Sequence, residues 1–214
     1  KSRGLGDVYK RQPVGYMASF MNYAKNNELS YDEFWKKGSD AELIHFIGKD
    51  ILYFHALFWP ATLNFSNHRT PSKIFAHGFL TVNGEKMSKS RGTFITARSY
   101  IECLKNPDYL RYYYFSKLND SMEDIDLNLD DFIVKVNSDL VGKLVNIPSR
   151  TSGFVSKFFN NMIMSSESFQ TPEAKNLHSE ILKIKDEIMK LFDQRQFSKA
   201  SRLVISHIES VNEY

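Results

Sequence analysis

The chain has 214 residues, of which 42% are hydrophobic and 14% aromatic, so it can bury a core and is not a disordered polypeptide. Its formal net charge of +3 gives a mild preference for anionic partners and does not by itself establish nucleic-acid binding. A single cysteine, Cys103, excludes an internal disulfide and a cysteine-rich zinc site, and it favours a reducing, cytoplasmic compartment. No apolar run reaches the roughly 20 residues that cross a bilayer, so we expect a soluble protein with no membrane partner.

The amino-terminal segment and the first two helices can be predicted from short signals. Residues 1–12 have neither helix nor strand periodicity and no secretory apolar region, so we expect a non-homologous or artefactual leader. Pro13 suits the first turn of a helix, and apolar residues recur at helical spacing after it. Ser30 and Glu33 form a capping-box pattern that predicts a second, brief helix.

Two strands and a hairpin turn are predicted next. Leu43 to Ile47 is an apolar run that ends at Gly48, so the carboxyl end of a strand should bring Asp50 to a helix amino terminus. Open α/β sheets bind their ligands at such an edge. Lys73 to Val82 is predicted as a further strand, and Asn83-Gly84 predicts a type I′ turn.

The second half of the chain is predicted to be helical. Strand signals fade after about Tyr100, and Thr171 with Pro172 is a typical helix start. Five segments have helix-like patterns: Tyr109 to Leu118, Leu129 to Ile147, Phe154 to Ile163, Glu173 to Phe192 and Ser198 to Val211. The predicted fold class is therefore α/β followed by all-α.

The sharpest chemical feature is the segment Lys86-Met87-Ser88-Lys89-Ser90. Two lysines three residues apart, beside serine hydroxyls on a loop, supply point charges and hydrogen-bond donors to a polyphosphate. The alternative is a basic loop that is simply solvated. The residue chemistry alone leaves both interpretations open.

The longer segment Gly84 to Gly92 resembles the signature loop of class I aminoacyl-tRNA synthetases. Five further segments are similar to the methionyl-tRNA synthetases in order and spacing: Pro13-Val-Gly-Tyr-Met-Ala-Ser19, His45-Phe-Ile-Gly-Lys-Asp50, Tyr53-Phe-His55, Leu57-Phe-Trp-Pro60 and His77-Gly78. The resemblance implies an ATP-dependent ligase that converts methionine to methionyl-adenylate and transfers it to tRNA(Met). It implies ATP with Mg²⁺, methionine and tRNA(Met) as cofactor and partners, and no DNA.

The resemblance also implies a division of the chain. Residues 13–82 would be the second half of a Rossmann-type catalytic domain, 83–141 the signature loop and connector, and 142–214 a truncated helical-bundle anticodon-binding domain. The family's His-Ile-Gly-His element is absent, so we expect this chain to be inactive alone. Zinc would belong to a domain upstream, and no metal site is expected here. A non-catalytic tRNA-binding fragment, or a class I synthetase for another aliphatic amino acid, is the alternative.

The resemblance places two sets of residues around ATP. The catalytic set is Lys86, Ser88, Lys89 and Ser90, in which the lysines would offset charge on the leaving pyrophosphate. The ATP-binding set is Gly48, Asp50, His77 and Lys89, in which Asp50 would accept hydrogen bonds from the ribose hydroxyls. The alternatives are a plain helix cap for Asp50 and a structural role for His77.

Four residues would line the methionine side chain: Pro13, Tyr16, His55 and Phe58. A thioether is weakly polar and polarisable, so aromatic walls with one polar partner suit it. Without the resemblance, His55 on an apolar helix is more often a satisfied core histidine.

Asn146 and Arg150 match positions that the family uses to recognise the anticodon, by hydrogen bonds to base edges and by stacking. A helix would place them on one face, although Pro148 between them could open a new turn. A solvated pair at a helix end is the alternative. For Asp124 and Asp126 we favour a structural role over acid–base chemistry, because adenylation depends on positioning and charge stabilisation.

Overall fold

The computed structural model describes residues 12–87, 95–163 and 171–214. It contains two compact units, which are described separately. Unit 1 is Lys1–Phe79 with Ser121–Glu123, and unit 2 is Leu80–Asp120 with Asp124–Tyr214. The leader predicted at residues 1–12 lies outside the described residues, apart from Gln12. Over the described part of the chain, no helix is both long and apolar enough to span a membrane.

Unit 1 combines short helices with a pair of strands. Its elements are α1 (Val14–Asn26), α2 (Tyr31–Trp35), β1 (Ile44–Gly48), a 3₁₀ turn (Lys49–Ile51), a π-helical segment (Phe54–Phe58) that continues into α3 (Trp59–Phe65), and β2 (Lys73–His77). β1 and β2 are parallel, with Ile44 opposite Lys73 and Gly48 opposite His77. The strand predicted at Leu43 to Ile47 is confirmed within one residue.

The two helix-start signals predicted in unit 1 have different outcomes in the structure. Pro13 occupies the position directly before α1, where a missing N–H costs nothing, so that prediction is confirmed. The capping box predicted at Ser30 is wrong, because the Ser30 side chain makes no capping hydrogen bond. The carbonyl of Glu33 instead accepts a hydrogen bond from the hydroxyl of Ser39, which ties the short helix α2 to the following loop.

The core of unit 1 is aromatic. Trp35, Trp59 and Leu63 are buried together, and Phe20 of α1 and Leu43 before β1 pack against them. The two indoles meet edge to face, with ring centroids 6.4 Å apart. Aromatic side chains bury large areas, so this cluster joins the three helices to the strand pair.

The single strand predicted from Lys73 to Val82 is wrong. β2 ends at His77, and a separate strand, β3 (Leu80–Val82), belongs to a different sheet in unit 2. The ring of His77 hydrogen-bonds the carbonyl of Gly78 at 2.8 Å, which satisfies that carbonyl locally instead of in a strand ladder. An apolar run in the sequence does not reveal such an interruption.

The second sheet contains a hairpin and one parallel partner. β3 pairs antiparallel with β4 (Glu85–Lys86) and parallel with β5 (Ile125–Leu127). Both residues of the turn have positive φ, 49° at Asn83 and 78° at Gly84, as a type I′ turn requires. The predicted hairpin is therefore confirmed.

The rest of unit 2 is helical. Its helices are α4 (Ala97–Leu104), α5 (Asp108–Lys117), α6 (Leu129–Lys135), a π-helical segment (Val136–Val145), α7 (Asn146–Phe159), α8 (Pro172–Asp193) and α9 (Phe197–Glu213). The start of α8 is confirmed, since the Thr171 hydroxyl accepts a hydrogen bond from the amide of Ala174. Helix α4 was not predicted, although Thr96 and Ser99 form a reciprocal capping box at its start.

Two predicted helices are one continuous helical run. Helical structure extends from Leu129 through the π-helical segment to Phe159, and Asn160 ends it with φ 51°. Pro148 does not interrupt the run. Proline has no N–H to donate to a carbonyl of the preceding turn. That turn is π-helical, with hydrogen bonds between residues five apart instead of four, so the regular α-helical pattern is already absent there.

A buried carboxylate links three helices of unit 2. Asp139 is only 4% exposed and accepts a hydrogen bond from the Tyr112 hydroxyl at 2.6 Å. Its carboxylate also pairs with Lys135 at 2.7 Å and Lys143 at 3.7 Å, and Lys143 pairs with Glu209 of α9 at 2.8 Å. Burial raises the pKa of Asp139, but the hydrogen bonds from Lys135 and Tyr112 outweigh it, so the pKa lies below its ordinary value.

Replacing Asp139 tests this network. Asp139→Ala would remove the acceptor of the half-buried Tyr112 hydroxyl and the ion-pair partner of Lys135, while Lys143 keeps Glu209, so we expect the free energy of unfolding to fall by about 2 kcal/mol at neutral pH. Asp139→Asn keeps an acceptor for Tyr112 and should cost less. Urea unfolding followed by circular dichroism measures both.

The pH dependence gives a second check on the same carboxylate. Because the folded pKa of Asp139 is lowered, its stabilisation is present above the ordinary value of 3.8 and is lost as pH falls through the folded pKa. The difference between wild type and Asp139→Ala should therefore shrink in acid. Equal urea midpoints for the two proteins at neutral pH would contradict the account.

Candidate active site

A group of polar aromatic rings lies in unit 1 and contains two of the residues predicted to bind methionine. Tyr16 of α1 and His55 of the π-helical segment are joined by a hydrogen bond of 3.0 Å between Oη and Nε2. The other ring nitrogen of His55, Nδ1, lies 3.1 Å from the carbonyl of Ile51. A carbonyl only accepts, so Nδ1 of His55 carries a proton. Nε2 is left to pair with the Tyr16 hydroxyl, and both ring nitrogens of His55 are therefore hydrogen-bonded.

A second histidine lies beside this pair. The indole Nε1 of Trp59 donates to Nε2 of His45 at 3.2 Å. An indole N–H only donates, so Nε2 of His45 is unprotonated. Burial, followed by the proximity of His55, lowers the pKa of His45 below its ordinary value of 6.5. His45 is therefore neutral at pH 7.

Burial differs across the predicted methionine-binding residues. His55 is only 1% exposed and Pro13 is fully buried, whereas Tyr16 is 37% and Phe58 49% exposed. Phe58 packs on Phe54 with ring centroids 5.7 Å apart. Pro13 and His55 are therefore buried, whereas Tyr16 and Phe58 are accessible to a ligand.

The predicted ATP-binding residues of unit 1 gather at one sheet edge. Gly48 and His77 are opposite each other at the carboxyl ends of the parallel strands, and Asp50 follows in the 3₁₀ turn with its side chain exposed. A Cβ on Gly48 would lie 2.6 Å from Oδ1 of Asp50. A side chain at position 48 would therefore displace the carboxylate of Asp50 from its present position. The capping position belongs to Gly48, so Asp50 is not the helix cap.

The hairpin of unit 2 carries Lys86, the first residue of the predicted catalytic set. Lys86 ends β4 opposite Thr81. Oδ1 of Asp126, on β5, accepts hydrogen bonds from the Thr81 hydroxyl at 2.6 Å and from the amide of Gly84 at 2.8 Å. These contacts fix the turn and support the structural role favoured for Asp126. Ser88, Lys89 and Ser90 lie outside the described residues.

Asn146 and Arg150 both lie on α7, one turn apart, so the proline between them does not separate them. Arg150 is exposed, whereas Asn146 is half-buried and its Nδ2 donates to Oδ1 of Asn212 on α9 at 3.1 Å. Nδ2 of Asn212 donates in turn to the carbonyl of Lys143 at 2.9 Å. The two predicted anticodon residues thus share a face, but only Asn146 is anchored by a neighbouring helix.

Comparison with known proteins decides the family. The family model described as tRNA synthetases class I (M) matches residues 8–152. The chain belongs to this family. It is 55% identical over 207 residues to the methionine--tRNA ligase of Thiobacillus denitrificans, a match that covers 97% of this chain and 29% of the relative. It is 52% identical over 207 residues to the methionine--tRNA ligase of Neisseria meningitidis serogroup C, with the same coverage of both.

Solved structures of the same family resemble the fold. A crystal structure of Mycobacterium tuberculosis methionyl-tRNA synthetase bound by methionyl-adenylate matches with a TM-score of 0.71 and 28% identity, over 82% of this chain and 34% of that one. The apo form of the same enzyme matches with a TM-score of 0.67 and 25% identity. The class I synthetase relationship therefore holds in sequence and in fold, over a chain that spans about 29% of the curated relatives it matches.

Sequence reasoning assigned no role to two residues of the ring group, His45 and Trp59. Both positions carried a usable signal. His45 alternates with Ile47 on the buried face of β1, and Trp59 follows His55 by four residues on a helix. Spacing places these rings near His55, but only the structure shows which nitrogen each one uses.

Asp126 offers a direct test of the hairpin. Asp126→Ala removes the acceptor for the Gly84 amide, a charged hydrogen bond of a kind worth about 1.5–3 kcal/mol. We expect hydrogen exchange at Gly84 to accelerate by about tenfold or more. Asp126→Asn retains an oxygen in the same place and should keep most of the protection. Identical exchange rates in the alanine variant and wild type would show that Asp126 does not hold the turn.

Proposed function

We propose that the chain is part of a methionine--tRNA ligase and supplies the methionine pocket and one edge of the ATP site. The observation that carries this proposal is the hydrogen-bonded Tyr16–His55 pair, in the same unit as the strand edge formed by Gly48 and His77. The relatives are named methionine--tRNA ligase, and a structural neighbour is bound by methionyl-adenylate. Residues 13–82 supply the second half of a Rossmann-type domain.

The ring group suits the side chain of methionine. The Tyr16 hydroxyl is hydrogen-bonded to His55, so the group offers the thioether ring faces and edges and a hydroxyl oxygen. A charged imidazolium would disfavour an apolar side chain, and the adjacent His45 is uncharged at pH 7 because burial and the proximity of His55 lower its pKa. Phe58, half exposed, gives a further aromatic wall.

The strand edge suits the nucleotide. In adenylate formation the methionine carboxylate attacks the α-phosphorus of ATP, and the bond to pyrophosphate breaks. The exposed Asp50 carboxylate accepts hydrogen bonds from the ribose hydroxyls, and Gly48 keeps the backbone accessible beside it. Lys86 and Lys89 offset the charge on pyrophosphate, Ser88 and Ser90 shape their loop, and Mg²⁺ accompanies ATP. His77 contributes at the same edge.

The helical region contributes to tRNA(Met) binding. Residues 83–141 form the signature loop and connector, and residues 142–214 belong to a helical-bundle anticodon-binding domain. Arg150 is exposed on α7, and Asn146 on the same face keeps its amide oxygen for a base edge while its nitrogen binds Asn212. The enzyme acts in the cytoplasm, and any zinc belongs to another domain.

The decisive experiment is methionine-dependent ATP–pyrophosphate exchange. The 214-residue chain is compared with a version extended to the length of its relatives, and leucine and valine replace methionine as controls. We expect exchange from the extended protein with methionine alone, and none from the 214-residue chain. Exchange driven by leucine or valine would identify a different class I synthetase, and a folded extended protein without exchange would contradict the proposal.

Gly48 provides a site-specific prediction. Gly48→Ala places a methyl group 2.6 Å from Oδ1 of Asp50, too close for the carboxylate to stay in place, so in the extended protein we expect the KM for ATP to rise about tenfold while the KM for methionine is unchanged. Gly15→Ala is the matched control, because a Cβ there meets no atom within 4 Å. An unchanged KM for ATP in Gly48→Ala would remove Asp50 from the nucleotide site.

A further inference from the structure

We propose that His45 is a positioning residue of the methionine pocket, which holds Trp59 and fixes the rings of Tyr16 and His55 without contacting methionine itself. This inference rests on the proposed function and extends it to a residue behind the pocket. His45 has no place among the residues that bind either substrate. It is nevertheless only 8% exposed and contacts three side chains of the ring group.

The geometry of His45 suits a support rather than a ligand. Its ring centroid lies 5.4 Å from that of Tyr16 and 5.6 Å from that of His55, and its Nε2 is occupied by the indole N–H of Trp59. The ring centroids of Tyr16 and His55 are 5.9 Å apart. The three rings therefore form a triangle in which any movement of His45 displaces the two that face the substrate.

Trp59 connects the triangle to the core. It is 2% exposed and packs edge to face on Trp35, so its indole cannot move independently of the hydrophobic cluster. Through the bond from Trp59, His45 takes its orientation from that cluster. The ring positions of Tyr16 and His55 are thus set by packing, which is the usual requirement for a precise binding site.

The arrangement needs a neutral His45. A protonated ring would direct an N–H at the indole N–H of Trp59, and it would place a cation beside His55. The titratable groups around His45 are His55, on the π-helical segment, and Tyr16, on α1; Trp59 and the strand partner Ile74 do not titrate. Since burial and His55 lower the pKa of His45, the neutral form persists below the ordinary value of 6.5 and is lost only at lower pH.

Two variants in the extended protein separate the hydrogen bond from the ring. His45→Phe keeps an aromatic ring and removes the acceptor for Trp59, so we expect the KM for methionine to rise about tenfold, with the KM for ATP and kcat unchanged. His45→Gln places a side-chain oxygen near the position of Nε2 and cannot titrate. We expect it to restore a KM close to wild type at pH 7.5 or so.

The pH profile gives a readout that a purely structural role would not change. In wild type the KM for methionine should increase only as pH falls through the lowered pKa of His45, below its ordinary value of 6.5, where the ring becomes protonated. In His45→Gln this increase should be absent. The comparison remains informative if His45→Phe does not fold, because it uses wild type and the glutamine variant alone.

The outcomes distinguish this inference from the proposed function. Wild type without methionine-dependent exchange would overturn both. Active wild type with an unchanged methionine KM in folded His45→Phe, or with the same pH profile in His45→Gln, would overturn only the role of His45. A larger fold increase in the KM for ATP than in the KM for methionine in His45→Phe would also contradict it, since the residue would then act on the nucleotide.

Discussion

The hydrogen bond from the Tyr16 hydroxyl to His55 is the interaction on which the rest of unit 1 depends. The other ring nitrogen of His55, Nδ1, is hydrogen-bonded to the carbonyl of Ile51. The adjacent ring of His45 accepts a hydrogen bond from the indole N–H of Trp59. The Ile51 carbonyl only accepts and the Trp59 indole N–H only donates, so the orientation of each imidazole ring is fixed by its partner. The result is a polarisable aromatic surface whose His45 ring is joined to the aromatic core through Trp59.

The same unit forms the proposed nucleotide edge by a different constraint. Parallel pairing of β1 and β2 brings Gly48 and His77 to the same edge, and the 3₁₀ turn directly after β1 carries Asp50. The absence of a side chain at Gly48 lets that carboxylate lie close to the backbone. In unit 2, local hydrogen bonds from Asp126 hold the hairpin that carries Lys86, while the buried Asp139 joins helices that include the one with Asn146. Each unit therefore orders its own functional residues with contacts internal to that unit.

The sequence predicted those features whose signals are local. The turn at Asn83-Gly84, the strand ending before Asp50 and the start of α8 at Thr171 each depend on a few adjacent residues, and all are confirmed. Motif spacing also identified the family, which the family model and the relatives confirm. The break after His77, the uninterrupted helix through Pro148 and the tautomers of His45 and His55 were not predictable. The first two depend on local backbone geometry that residue periodicity does not encode, and the tautomers depend on which nitrogen a partner occupies.

The central claim is that the Tyr16–His55 surface receives the side chain of methionine. A crystal of the extended protein soaked with selenomethionine tests it most directly, because anomalous scattering locates the selenium atom without reference to any assumed pose. We predict a single selenium peak in van der Waals contact with the rings of Tyr16 and His55, about 4 Å from their nearest atoms. A fully occupied peak elsewhere, with these two rings unchanged and solvated, would contradict the account.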